Sequence, residues 1–267
     1  MKKYIIIILL LLPALAFAGA KSFQVDSGST LTTSLVSYYK LEDATDFYGS
    51  NNLTAAGNAS FVAGKVNNAV TLDGTDDYLD GGDVMDFDYN QNLSLEAWIY
   101  PDVLTGSHNI ISKYDDVNDR GYTLMQGGGD GKLRFMLANS ASNRIIVDTT
   151  NIVLTVSAWN HIVVTYGGAT AQQCGDVKIY VNNSDVARTC IAESLSATTV
   201  NAISFNIGSA NDGAYGDFDG LIDETGVWSK VLTITEVADL YNGGSGQTMI
   251  ELPSVEIIRR IFIFFFQ

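Results

Sequence analysis

Basic residues are scarce. Fifteen lysines and arginines stand against 30 aspartates and glutamates, a formal net charge of −15. A chain without a basic patch cannot neutralise a phosphate backbone, so nucleic acid is excluded as a partner. Histidine and cysteine are scarcer still, with two of each. Their spacing makes no Cys/His zinc site. There is no P-loop and no G-x-G-x-x-G following a strand, and "GGGDG" at 127–131 reads as a hairpin turn. No serine or cysteine occupies a nucleophile elbow. Long apolar runs are missing too. The N-terminal run after Lys3 is short and broken by Pro13, and the tail "IIRRIFIFFFQ" is too short to span a bilayer as a helix.

What is present begins with a targeting pattern. Lys2 and Lys3 precede an apolar stretch that closes on Ala16-Phe17-Ala18, an A-x-A cleavage site. This predicts a secretory signal peptide over residues 1–18 and an exported mature protein. Residues 19–34 are rich in Ser, Thr and Gly and read as a linker. Residues 35–246 read as one domain, and 247–267 as an apolar tail. That tail suits an added edge strand, an interface segment or the scar of a truncated reading frame.

Within the domain, short apolar alternations recur between turn signals, the pattern of an all-β sandwich. "NLSLEAWIYP" places Leu93, Leu95, Ala97 and Ile99 on one face. "WNHIVVTYGG" does the same with Ile162, Val164 and Tyr166, and "DVKIYVNNSDVA" with Val177, Ile179 and Val181. "GYTLMQGGGDGKLRFML" reads as two strands around a glycine-rich turn. One helix is expected. Thr233 and Glu236 form a capping box, Val237, Leu240 and Tyr241 share a face, and Gly243-Gly244 supplies the stop. If a turn centres near Asn182, Cys174 and Cys190 lie opposite each other on one hairpin. In an exported protein this predicts a disulfide closing a loop of about 15 residues, worth about 3 kcal/mol.

Six blocks in order give a further reading. They are "YYKLEDATDFYGSNNLT", "GKVNNAVTLDGTDDYLDGG", "LSLEAWIYP", "WNHIVVTY", "KIYVNN" and "FDGLIDETGVWSKVLTITEV". From Tyr38 to about Asn242 the chain resembles the LamG-like domains of the concanavalin A-like lectin/glucanase superfamily. The resemblance implies a jelly-roll β-sandwich of two antiparallel sheets with one short C-terminal helix.

It also implies a structural Ca²⁺. Asp46 of the D-x-x-G loop and Asp223 of the closing strand are its candidate ligands, with Asn51 as a carbonyl donor. The superfamily's glucanases carry E-x-D-x-x-E on one strand, and this chain has no such run. Asp223 and Glu224 are adjacent, so a regular strand sends them to opposite faces. Glu96 is isolated in "LSLEAW", and His161 suits a packed, hydrogen-bonded histidine. Trp98, Trp159 and Trp228 read as core. Tyr114, Tyr122 and Tyr215 lie in or beside loops and are the candidate ligand-binding rings. The expected function is a secreted, non-catalytic module that recognises a glycan or glycoprotein surface. The rivals are a structural or adhesive surface protein and a hydrolase with acids drawn from separate strands.

Overall fold

A computed structural model describes residues 21–23, 29–170 and 172–251. The expected signal peptide and the tail beyond Glu251 lie outside the described residues. Two large antiparallel sheets pack face to face. The first runs, from edge to edge, Arg188–Glu193, Asn143–Thr149, Leu133–Ser140, Arg120–Gln126, His108–Asp115, Asn206–Ile207, Tyr78–Asp80 and Thr54–Ala56. The second runs Ser184–Asp185, Val177–Val181, Asn160–Gly167, Asn92–Pro101, Asp219–Trp228, Asn68–Asp73 and Ser60–Ala63, and Leu35–Tyr39 also pairs with Asp219–Trp228. This is the expected all-β jelly-roll sandwich.

Period-two alternation builds the core between the sheets. Leu93, Leu95, Ala97 and Ile99 point inward and meet Ile162, Val164, Tyr166 and Ile179 in one buried cluster with Phe135 and Leu137 of the first sheet. The second sheet is covered on its other face as well. There Tyr38, Val163, Tyr180 and Trp228 pack under Leu31, Leu35, Phe23, Met249 and the helix residues Val237 and Leu240. The Asn92–Pro101 and Asp219–Trp228 strands are therefore buried almost throughout.

The helix Ile234–Tyr241 carries the expected capping box: the Glu236 amide donates to Thr233 Oγ1 and the Thr233 amide to Glu236 Oε2. It ends on Asn242, at φ 47° in the left-handed region, followed by Gly243 at φ 60°.

The periphery is tied to the sandwich. Of the stretch expected as a linker, the described residues 21–23 and 29–34 include pieces that pack onto it. Lys21–Phe23 pairs with Met249–Glu251 in a small two-stranded sheet, Leu31 is fully buried, and the Trp228 indole donates to the Leu31 carbonyl at 2.6 Å. The same pairing draws residues 249–251 of the tail onto the sandwich. The cysteines do join, with Cα atoms 5.7 Å apart, but not across one hairpin. Val177–Val181 turns at Asn182-Asn183 and pairs with Ser184–Asp185 in the second sheet. The chain then crosses, so that Arg188–Glu193 is the edge strand of the first. The disulfide links the two sheets at that edge.

Candidate functional site

The acids of the closing strand come first. Asp223 lies opposite Trp98, and Gly226 opposite Glu96. Three steps along one strand match two along the other, so one residue is extra, a β-bulge. Glu224 sits in it at φ 45°. The bulge cancels the alternation expected to part Asp223 from Glu224. Asp223 shares a face with Trp98. Glu224 hydrogen-bonds the hydroxyl of Tyr38, which packs on that same outer face. Glu96 joins them there, no longer isolated, and its Oε1 lies 3.2 Å from Nε2 of His161.

All four groups are fully buried. Burial raises Glu96 above the usual carboxylate range, and Glu224 and Asp223 add to that. Burial raises Asp223 to about 7 against the pull of its backbone donors. His161 falls to about 3, again through burial first and then Lys65. Tyr38 fixes a proton by geometry. Its hydroxyl contacts both Glu224 Oε2 and the Gln247 carbonyl, the latter at 2.9 Å. A carbonyl only accepts, so both contacts are satisfied when Tyr38 donates to Gln247 and a protonated Glu224 donates to Tyr38. The cluster holds protons under a roof and presents no carboxyl to a polysaccharide.

The calcium candidates are engaged by protein hydrogen bonds. Asp46 Oδ1 accepts the amides of Tyr38, Tyr48 and Gly49 at 3.1, 3.1 and 2.8 Å, and its Oδ2 accepts that of Asn51 at 3.0 Å. Three of those bonds fall on Oδ1 and one on Oδ2, so the carboxylate is held by its own loop. Gly49 belongs to the same device, since a Cβ there would meet Asp46 Oδ2 at 2.4 Å. Asp223 accepts Lys65 and Val66 amides on Oδ2 and the Glu224 amide on Oδ1, each at 2.8 Å. The Asn51 carbonyl accepts the Tyr39 hydroxyl at 2.8 Å. Each of the three expected ligands therefore already serves protein donors, and the D-x-x-G carboxylate organises its own loop.

The three tyrosines separate. Tyr122 lies within the Arg120–Gln126 strand, its ring in the core and its hydroxyl on the Met85 carbonyl at 3.0 Å. Tyr114 belongs to the His108–Asp115 strand and is 4 % exposed, its hydroxyl donating to Asp119. Neither ring offers a face to a ligand. Both lie in strands that flank the 116–119 loop, and burial is what takes their rings out of reach. Tyr215 is 40 % exposed. Among the tryptophans, Trp98 and Trp228 are core, whereas Trp159 is only half-buried, edge-on to Tyr100 with centroids 5.6 Å apart.

Tyr215 stands on the outer face of the first sheet. The Ala210–Tyr215 bridge closes its turn, and Asn109 Nδ2 donates to its carbonyl at 2.8 Å. Nearby, Tyr114 belongs to a buried apolar cluster with Met136, Ala138 and Ile146. Strand register brings charge beside that cluster. Arg134 faces Asp148 across the ladder and grips it with two bonds, Nε to Oδ1 at 2.7 Å and Nη2 to Oδ2 at 2.9 Å. Arg144, opposite Ala138, approaches Asp119 at 4.0 Å. Tyr215 lies within electrostatic reach of Arg134 and Tyr114. An exposed ring with a guanidinium within electrostatic reach can stack on one face of a ligand and hydrogen-bond its edge. The arginines escaped sequence reading because they come from strands joined only by pairing.

No protein of curated function matches the chain in sequence. Among solved structures it is similar to domain 4 of AbnA, a GH43 extracellular arabinanase from Geobacillus stearothermophilus, in complex with arabinotriose. Identity is 22 %, the TM-score 0.60, and the match covers 77 % of this chain and 97 % of that domain. It is similar also to the binding domain of Paraclostridial Mosquitocidal Protein 1, at 17 % identity and TM-score 0.60, covering 80 % of this chain and 53 % of that one. The Botulinum neurotoxin serotype G binding domain gives 15 % identity and TM-score 0.58, covering 78 % and 50 %. The chain thus spans about half the length of the two toxin domains. A laminin G family model described as "Concanavalin A-like lectin/glucanases superfamily" matches residues 73–238. With that match over more than half its length, on a two-sheet sandwich, the chain belongs to the concanavalin A-like lectin/glucanases superfamily.

Proposed function

We propose that this protein is an exported, non-catalytic glycan-binding module whose primary contact is the ring of Tyr215. The exposed Tyr215, within electrostatic reach of Arg134 and Tyr114, carries the reading. The ring stacks on the C–H face of a sugar while the guanidinium bonds its hydroxyls. The arabinotriose held by the arabinanase domain of the same fold supports a saccharide as ligand. The burial of Glu96, Asp223 and Glu224 supports binding over cleavage, because glycoside hydrolysis needs two carboxyls flanking the scissile bond. The A-x-A pattern at 16–18 supports export. Among the described residues no helix is long and apolar enough to cross a membrane.

A glycan array and calorimetry with arabinotriose test the reading. Binding by the wild type that disappears in a folded Tyr215→Ala variant is the expected result. Undiminished binding by that variant overturns the assignment. Release of product from polysaccharide, abolished by a single carboxyl substitution, would return the hydrolase reading.

A further inference from the structure

A second cavity lies away from Tyr215, at the end of the sandwich where the loop after Gly82 meets the Gly167–Thr170 turn. It has a volume of about 590 Å³, within the range of small-molecule sites and roomy enough for a short oligosaccharide. Val36, Met85 and Phe87 form its apolar floor, and Asp86, Asn90, Gln91 and Asn92 its polar rim. None of these residues belongs to the Tyr215 face.

The rim is built to present donors. The Asp88 amide holds Gln91 Oε1 at 2.9 Å, and the Ala169 amide holds Asn92 Oδ1 at 3.2 Å. With each amide oxygen turned onto a backbone N–H, the side chain is fixed in orientation and its NH₂ group remains as donor. Asp86 supplies the opposite function. Its carboxylate lies 3.5 Å from Lys113, whose buried ammonium also bonds Asp83 at 2.6 Å and the Ile203 carbonyl at 2.7 Å. That lysine pins the loop from beneath. Met85, at φ 58°, is held in the left-handed region within the same loop, and strain of that kind gathers at ligand sites.

Donor amides and an acceptor carboxylate around an apolar floor match a group that both accepts and donates. A sugar hydroxyl does both, while the C–H face of the ring suits the floor. An anionic ligand meets Asp86 and a chain of net charge −15. We therefore propose that this groove is a second, independent binding site for a neutral oligosaccharide, with Asp86, Asn90, Gln91 and Asn92 as its polar contacts. The proposal extends the glycan-binding reading but does not use the Tyr215 site.

The test is titration of the ¹⁵N-labelled full chain with arabinotriose, cellotriose and maltotriose, observed at the side-chain NH₂ signals of Gln91 and Asn92. At least one sugar is expected to move both signals, with a Kd on the order of 1 mM. The same shifts are expected in Tyr215→Ala, which separates this groove from the other site. Asp86→Ala and the exposed Asn90→Ala should each weaken the titration about tenfold, the cost of losing a charged or neutral contact. Static Gln91 and Asn92 signals with all three sugars overturn the proposal. So do shifts that vanish in Tyr215→Ala, or affinities unchanged in both groove variants.

Discussion

Asp223 and Glu224 are chain neighbours whose carboxyls occupy one face of one sheet, because Glu224 is the extra residue of a bulge and sits at φ 45°. Two adjacent acids on a straight strand would have been split between core and roof. The bulge gathers them with Glu96 beneath Leu31, the helix and the Met249–Glu251 strand. A covered face with several acids makes folding sensitive to protons.

The sign of that sensitivity follows from the raised carboxyls. Asp223 is held near 7, and Glu96 and Glu224 well above the usual carboxylate range, all through burial first. The folded state therefore binds protons that the unfolded chain, titrating near about 4, has released. Their stabilising contribution is complete below about pH 4; Asp223's share is lost as pH rises through about 7, and those of Glu96 and Glu224 as it rises through their own raised values. Urea midpoints should fall between about pH 5 and pH 8. Glu224→Gln, which keeps the neutral hydrogen-bonding form, should flatten part of that slope; a slope that rises with pH contradicts the assignment of protons.

Calcium should leave stability unchanged. Asp46 and Asp223 already accept four and three backbone amides. Melting temperatures in Ca²⁺ and in chelator should coincide. Asp46→Ala should instead destabilise the fold with or without the ion, by about 3 kcal/mol or more, since several amides lose their acceptor. A melting temperature that rises with Ca²⁺ and not with Mg²⁺ would show a cation where the hydrogen bonds now run.

The buried and exposed tyrosines should behave oppositely. Tyr122→Ala opens a hole in the core and should cost about 3–5 kcal/mol in urea unfolding. Tyr215→Ala should change stability by less than about 0.5 kcal/mol and act on ligand binding alone. Equal destabilisation by both would remove Tyr215 from the surface.

Breaking the Cys174–Cys190 link with the paired Ser variants should cost about 3 kcal/mol, on chain-entropy grounds for a separation of 16 residues. Because the bridge joins the two sheets, the loss should appear as faster amide exchange in both the Arg188–Glu193 and Val177–Val181 strands. Exchange confined to one strand would indicate that the sheets are held there by other contacts.

Much of the architecture is local and so was open to reading in the chain. Leu93, Leu95, Ala97 and Ile99 alternate, and a strand with that pattern has one choice of face. Thr233 and Glu236 satisfy each other's amides within one turn. Cys174 and Cys190 were paired by their even count, though through a hairpin that the fold does not use. Tyr122 falls in the strand read from "GYTLMQ", but that its ring turns into the core depends on pairing, as does Gly121, where a Cβ would strike the Lys113 carbonyl at 1.9 Å.

The sites depended on contacts between distant segments. Alternation predicts where a side chain points until one residue is inserted, and the insertion at Glu224 is visible only in register with Glu96 and Trp98. Whether Asp46 meets a metal or four amides depends on the path of its own loop and of the Leu35–Tyr39 strand. Arg134, Arg144, Asp119 and Tyr215 come from four segments that strand pairing and loop folding alone bring to one face. Composition and periodicity set which residues are buried and which class of sandwich they make. Long-range pairing decided which polar groups meet, because hydrogen-bond partners are chosen in space and the order of residues along the chain does not encode that distance.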